Sequence, residues 1–197
     1  MGREVALLIR QINRVQPQWN LVGFFDDKAT GSMDTLPILG GITELNKWQE
    51  KVAIAVAVAD PHAKAQLVDR VDNPHIYYPI LVHPLADAGD TQNVLGRGCI
   101  LARGCALTVN VKLGDFVFIN MMTAVGHDSQ IGSFSSVMPH CCVAGNSTIG
   151  EKCLLGTGAA VLQHVTIHHG ATVGAGAVVV KDVPAGAVVT GIPARIH

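Results

Sequence analysis

The chain has 197 residues, 49% of them hydrophobic and 15% charged, and 14 Lys and Arg against 15 Asp and Glu leave a net charge of −1. That balance offers no electrostatic footing for nucleic acid or an anionic membrane surface. No apolar run approaches the ~20 residues of a membrane span and no signal peptide is visible, so a cytoplasmic protein of one or two domains is expected.

Gly2 to Arg14 reads as an amphipathic helix with Val5, Leu8, Ile9 and Ile12 on one face. Leu21 to Phe25 is a short buried strand that ends in Asp26-Asp27, and a loop leads to a helix from Thr43 to about Glu50. Val52 to Val58 is a near-continuous apolar run, the mark of a parallel strand covered on both faces. A helix near Pro61 to Val71 follows, then a strand near Ile80-Leu81-Val82. The alternation predicts a small α/β domain with a parallel sheet over residues 1–83. His83-Pro84 punctuates the passage to the second domain, residues 84–197.

From there the rhythm changes to a repeat of six. Steps of six from Leu95 meet fifteen aliphatic residues in unbroken series, ending at Val173 and Val179. Two positions before each aliphatic sits a small or β-branched residue in fourteen of the fifteen cases, Asn93 being the one departure. A period of two would mark a single strand and 3.6 a helix, whereas six with glycine at the corners marks a parallel β-helix. Three hexads close one triangular coil, so fifteen give five coils, and fifteen unbroken matches exclude an ordinary sandwich. Cys99, Cys105, Cys141 and Cys153 occupy the small position and read as compact buried hydrophobes in a reducing cytosol, while Cys142 falls off register. No C-x-x-C spacing argues for zinc or a redox pair.

His127-Asp128 follows the inward Val125, so His127 is expected at a corner, pointing outward. Steps of eighteen from His127 reach Val109 on one side and Gly145 and Gln163 on the other. Gly145 therefore stacks beside His127, where bare backbone would let a reactant approach and offer an N–H to an oxyanion.

Five stretches carry a family likeness along the whole chain: Gly2-Arg3-Glu4-Val5-Ala6, Gly23-Phe24-Phe25-Asp26-Asp27, His83-Pro84, Val125-Gly126-His127-Asp128 and Gly191-Ile192-Pro193-Ala194-Arg195. Together they resemble the sugar-nucleotide N-acetyltransferases of the hexapeptide-repeat acyltransferase superfamily, the sialic-acid, bacillosamine and perosamine acetyltransferase-like enzymes of bacterial surface-glycan pathways. The resemblance implies a small Rossmann-like domain before a left-handed β-helix, against the usual right-handed rule for crossovers. It also implies a homotrimer with its site between subunits, acetyl-CoA as co-substrate, no metal, and a nucleotide-linked amino sugar as acceptor. Members of this family normally open with a hydrophobic strand and a Gly-rich loop ahead of the Gly-Arg-Glu-Val match. This sequence starts at Met1-Gly2, so the first strand is expected to be missing, through a displaced start or a real loss of part of the nucleotide grip.

By the same likeness His127 is the general base, oriented by Asp128, and an imidazole with a pKa near 6.5 suits proton removal from an attacking amine. Gly2, at a helix N-terminus, would face a pyrophosphate. Asp26 and Asp27 would accept hydrogen bonds from ribose or base, or form only a solvated turn. Asn120 is expected either to bind the acceptor or to cap a turn. Ser136, Gly145, Thr157 and Ala175 are implied contacts of the pantetheine arm. Lys181 and Arg195 are implied partners of the coenzyme A phosphates, with a solvated rim charge the competing reading for each.

The activity expected is N-acetylation of a nucleotide-linked 4-amino-4,6-dideoxysugar. Sugar O-acetylation of the sialic-acid type and a non-catalytic trimeric scaffold are the alternatives. A zinc hydratase of the same fold would need three histidines across an interface. His127 and His164 are thirty-seven apart, one residue out of register with the coil.

Overall fold

The computed structural model describes residues 1–89 and 91–197. A parallel β-helix of three flat faces forms the frame, and the N-terminal α/β region packs on one of those faces. Among the described residues no helix is long and apolar enough to cross a membrane.

Helix α1 (Gly2–Val15) buries Val5, Ala6, Leu8, Ile9 and Ile12, the stripe its sequence predicts. That stripe meets Leu81, Ile100 and Phe118 of the solenoid in one apolar cluster. The hairpin of β1 (Ser32–Met33) and β2 (Leu36–Pro37) turns through Asp34 and Thr35, both left-handed. Helix α2 (Ile42–Asn46) stops short of the expected Glu50, and the turn after it brings Trp48 edge-on to Phe25, ring centroids 5.7 Å apart. Helix α3 (Pro61–Asp69) starts where Asp60 accepts a 2.7 Å hydrogen bond from the Ala63 N–H and Pro61 fills the first turn.

The small sheet is thinner than predicted. Of the apolar run 52–58 only β3 (Val52–Ala53) joins a ladder, in parallel with β4 (Ile76–Tyr77). The segment 21–25 is held from one side, by Phe24 N–H to the Pro37 carbonyl at 2.9 Å and Leu39 N–H to the Phe24 carbonyl at 2.7 Å. Among the described residues no backbone hydrogen bond joins segments 21–25 and 53–58. They line a cleft of about 450 Å³ together with Val5, Ala6 and Ile9 of α1. A strand lasts in a ladder only as far as a partner runs beside it, which is why these apolar runs are extended but mostly unpaired.

The strand expected near Ile80 to Val82 does not join that sheet. β5 (Leu81–Val82) pairs in parallel with Ile100–Leu101 and is the first rung of the solenoid. Fifteen two-residue strands follow, from β6 (Val94–Leu95) to β20 (Val178–Val179), and those up to β17 (Ala160–Val161) each pair with the strand eighteen residues on, as in Phe118↔Ser136, Ala124↔Cys142 and Gln130↔Thr148. β21 (Val188–Thr190) adds a last parallel rung, and β22 (Arg195–Ile196) folds back on it antiparallel. The result is about six coils rather than five. Counting by six hid the outer coil because one extra residue lies between the inward Ala88 and Leu95. At the far end Ile167 pairs with Val183, two residues short of the eighteen-residue step, so the coil persists where the rhythm breaks at Lys181.

Inward positions form a continuous dry prism, with Leu101, Ile119, Val137, Leu155 and Val173 all unexposed. The outward positions give each face its character. The first face shows Ile100, Phe118 and Ser136 and is covered by the N-terminal region. The second shows Asp87 at its first rung and then small apolar residues, Ala106, Ala124, Cys142, Ala160 and Val178. The third shows Val94, Lys112, Gln130, Thr148 and Thr166, mostly polar.

Turn chemistry departs from the glycine corner the sequence suggests. The left-handed residue lies three positions after the inward aliphatic and is often not glycine: Asn110 (φ 53), Phe116 (57), Asp128 (58) and Asn146 (57). Glycine directly after the aliphatic serves close stacking instead, since a Cβ on Gly126 would come 2.5 Å from the Gly145 nitrogen of the next coil.

Candidate active site

His127 stands on the corner between the second and third faces, two residues past the inward Val125, with 61% of its side chain exposed. Its Nδ1 lies 2.8 Å from Asp128 Oδ2. A carboxylate only accepts, so in the neutral imidazole this bond places the proton on Nδ1 and leaves Nε2 bare as an acceptor. The other carboxylate oxygen, Oδ1, accepts a 2.7 Å hydrogen bond from Asn110 Nδ2 one coil earlier. The Asn110 amide first, and the His127 ring second, hold the Asp128 carboxyl below the usual carboxylate range. Backbone bonds fix the corner itself, from Asp128 N–H to the Val109 carbonyl and from Asn146 N–H to the His127 carbonyl.

Gly145 lies against the ring as the spacing predicts. A Cβ there would approach His127 Nε2 to 2.6 Å, so only glycine leaves the ring in this position. Gln163 and exposed Lys181 continue the column, each one coil further along.

The remaining predicted residues are dispersed. Asn120, Thr157 and Ala175 line the opposite edge of the second face, at the corner shared with the first. Asn120 Oδ1 accepts from the Met121 N–H at 2.8 Å, so its carbonyl caps the turn. Arg195, in β22, is exposed and donates to the neighbouring Ala194 carbonyl. Gly2, Asp26 and Asp27 line the 450 Å³ cleft of the N-terminal region. Both carboxylates there already hold protein donors, Asp26 the Lys28 and Ala29 N–H groups and Asp27 the Ile42 N–H and the Arg70 guanidinium. Those bonds keep both carboxyls below their ordinary value.

Ser136 is set apart from any open groove. It is fully buried on the first face, and its Oγ accepts a 2.9 Å hydrogen bond from Lys64 Nζ of α3. Lys64 itself is 1% exposed, also reaches the Ser135 carbonyl at 3.3 Å, and burial pushes its amine down to about 8. Sequence reading missed both Lys64 and Asn110. Nothing in a lone helical lysine marks it as buried, but a step of eighteen back from Asp128 would have found Asn110. Among the described residues no three His, Cys, Asp or Glu side chains converge as metal ligands do, His164, His168 and His169 included.

The PglD N-terminal domain family matches residues 1–71, and the bacterial transferase hexapeptide family, of six repeats, matches residues 146–181. A GDP-perosamine N-acetyltransferase of Escherichia coli is 30% identical over 203 residues, covering 98% of this chain and 90% of that protein. The acetyltransferase domain of PglB from Neisseria gonorrhoeae, solved with acetyl coenzyme A, superposes with a TM-score of 0.91 at 30% identity, over 100% of this chain and 94% of that one. PerB from Caulobacter crescentus, solved with CoA and GDP-perosamine, gives 0.87 at 25% identity, over 98% and 92%. The likeness makes the solenoid a left-handed β-helix. Serine acetyltransferases also match, and the chain spans 61% of the length of the one from Bacillus pumilus, at 29% identity.

Proposed function

Because this chain belongs to the hexapeptide-repeat sugar-nucleotide N-acetyltransferases with a PglD-type N-terminal domain, we propose that it moves an acetyl group from acetyl-CoA to the amine of a nucleotide-linked 4-amino-4,6-dideoxysugar. The observation that carries this reading is the His127 ring, its Nδ1 tied to Asp128 and its Nε2 bare against Gly145. The amine nitrogen attacks the thioester carbonyl carbon directly and gives its proton to His127 Nε2. The C–N bond forms, the C–S bond breaks, and the imidazolium returns the proton to the departing coenzyme A sulfur. The carboxylate of Asp128 holds the ring and favours the imidazolium as it develops. The Gly145 backbone leaves room for the thioester and offers an N–H to the oxyanion.

One chain does not complete this site. The α/β cleft sits over the first face, whereas His127 stands on the corner opposite that face, so a sugar nucleotide held in the cleft is served by the histidine of another copy. Packing of the small-residue second face against a neighbour brings the edge bearing Asn120, Thr157 and Ala175 next to the neighbour's His127 edge. Threefold closure completes three such sites and leaves no open end. The pantetheine arm runs along this seam past Gly145, Thr157 and Ala175, with Lys181 and Arg195 beside the phosphates. In the cleft Gly2, Asp26 and Asp27 face the nucleotide. Acetyl-CoA and sugar nucleotides are cytoplasmic metabolites, and the reaction belongs in the bacterial cytoplasm.

A hydroxyl acceptor is the second reading, favoured by the serine acetyltransferase matches, because a histidine base serves either nucleophile. The test is release of coenzyme A thiol from acetyl-CoA with a panel of UDP- and GDP-linked 4-amino sugars. Turnover with one of them, lowered on the order of 10²- to 10⁴-fold in kcat by His127→Ala, is the expected result. Turnover only with hydroxyl acceptors would replace the amine reading, and a trimer that neither binds nor cleaves acetyl-CoA would leave a scaffold.

A further inference from the structure

Asp128 is held from two sides by side chains of adjacent coils, and only one of them belongs to the proposed base pair. Its Oδ2 meets His127 Nδ1, and its Oδ1 takes the Asn110 amide at 2.7 Å. Asn110 and Asp128 share the same left-handed position of their turns, φ 53 and 58, eighteen residues apart. Their side chains therefore leave the corner in parallel, one coil spacing apart. Asn146 holds the next equivalent position, and among the described residues Asn110 is the one side chain outside the pair that bonds the Asp128 carboxylate.

We propose that Asn110 is a positioning residue for the acyl transfer, clamping Asp128 so that its second oxygen keeps the His127 proton on Nδ1 and Nε2 free. This rests on the reading of His127 as the base. An exposed aspartate with 46% of its side chain in solvent would otherwise sample other rotamers and release the ring. An asparagine suits the post twice over. It tolerates the left-handed turn better than most residues, and its amide donates where an aspartate would repel.

Asn110→Gly removes the amide while keeping a backbone that adopts φ 53 without strain. Asn110→Asp keeps shape and turn preference but sets a second carboxylate against the first. Each is compared with the native chain and with His127→Ala, for kcat, for KM toward acetyl-CoA, and for the His127 ring tautomer by 15N NMR. We expect kcat to fall on the order of tenfold in both variants, since small misplacements cost up to about a hundredfold. KM for acetyl-CoA stays within about twofold and the unfolding temperature is unmoved. The ring, Nδ1–H in the native chain, becomes a mixture with Nε2–H. Native kcat and tautomer in both variants, with His127→Ala inactive, would overturn the role of Asn110 and leave the base standing. Full activity in His127→Ala would instead remove the base reading, and the tautomer comparison would still decide whether Asn110 orients the pair.

Discussion

As the proposed base, His127 would act through one atom, Nε2, and the residues around it either free that atom or crowd it. Gly145 is the most sensitive neighbour. Its φ is not left-handed, so alanine is compatible with the backbone, yet the new Cβ would come 2.6 Å from Nε2. The exposed ring yields before the coil does. Gly145→Ala is therefore expected to lower kcat by roughly 10- to 100-fold with an unchanged unfolding temperature, and a loss of stability in step with activity would contradict this. Lys64 gives the opposite kind of prediction, one of stability without chemistry. Its amine titrates near 8 in the folded chain against 10.5 ordinarily. Between those values the unfolded chain binds more protons, so stability rises with pH across that window. Below pH 8 the cost of burying the cation is fully present, and above 10.5 it is gone. Over the whole window that amounts to roughly 3 kcal/mol. Lys64→Met should be the more stable protein in urea at pH 7, and its advantage should shrink by pH 10.5; an advantage that does not change with pH would place the charge elsewhere.

Each two-residue strand is too short to persist alone and is stable only between its neighbours above and below. The apolar prism supplies most of what holds them. Ile131 is 1% exposed in the middle coils, while Gln130 beside it points outward. Ile131→Ala is expected to cost about 2–5 kcal/mol in denaturant unfolding, against less than about 0.5 kcal/mol for Gln130→Ala. Equal effects would mean that the hexad does not set which residue faces in. The hexad was the most legible element because its inward aliphatics obey one local rule fifteen times. Corner residues were less legible. The same left-handed turn is made by Asn110, Phe116 or Asp128, since neighbouring coils fix the backbone whatever the side chain.

The prism's three faces divide the work: one is covered by the N-terminal region, one is small and apolar, and one is polar. Exposed Cys142 lies at the centre of the small face, between Ala124 and Ala160. We expect light scattering to show a trimer for the native chain and a monomer for Cys142→Arg, which buries a charge in any close packing of that face. Acetyl transfer should vanish in the monomer although His127 is untouched. An active monomer would remove the intersubunit site.

The sequence by itself determined the β-helix, the inward residues, the corner bearing His127 and Asp128, and the contact of Gly145 with the ring. All of these follow from a period that stacks like on like at a fixed step. Only the tertiary structure decided the rest. Val82 and Ala88 belong to an extra coil because one inserted residue throws off the count while leaving the backbone free to close. Ser136, expected in an open groove, is buried because α3 lands on its face and Lys64 takes its hydroxyl. The Asn110 clamp on Asp128 likewise depends on two side chains leaving adjacent coils in parallel. The Lys64 contact joins residues whose spacing carries no signal until the packing of whole elements is known, whereas the eighteen-residue step sets Asn110 beside Asp128 but does not say that their side chains bond.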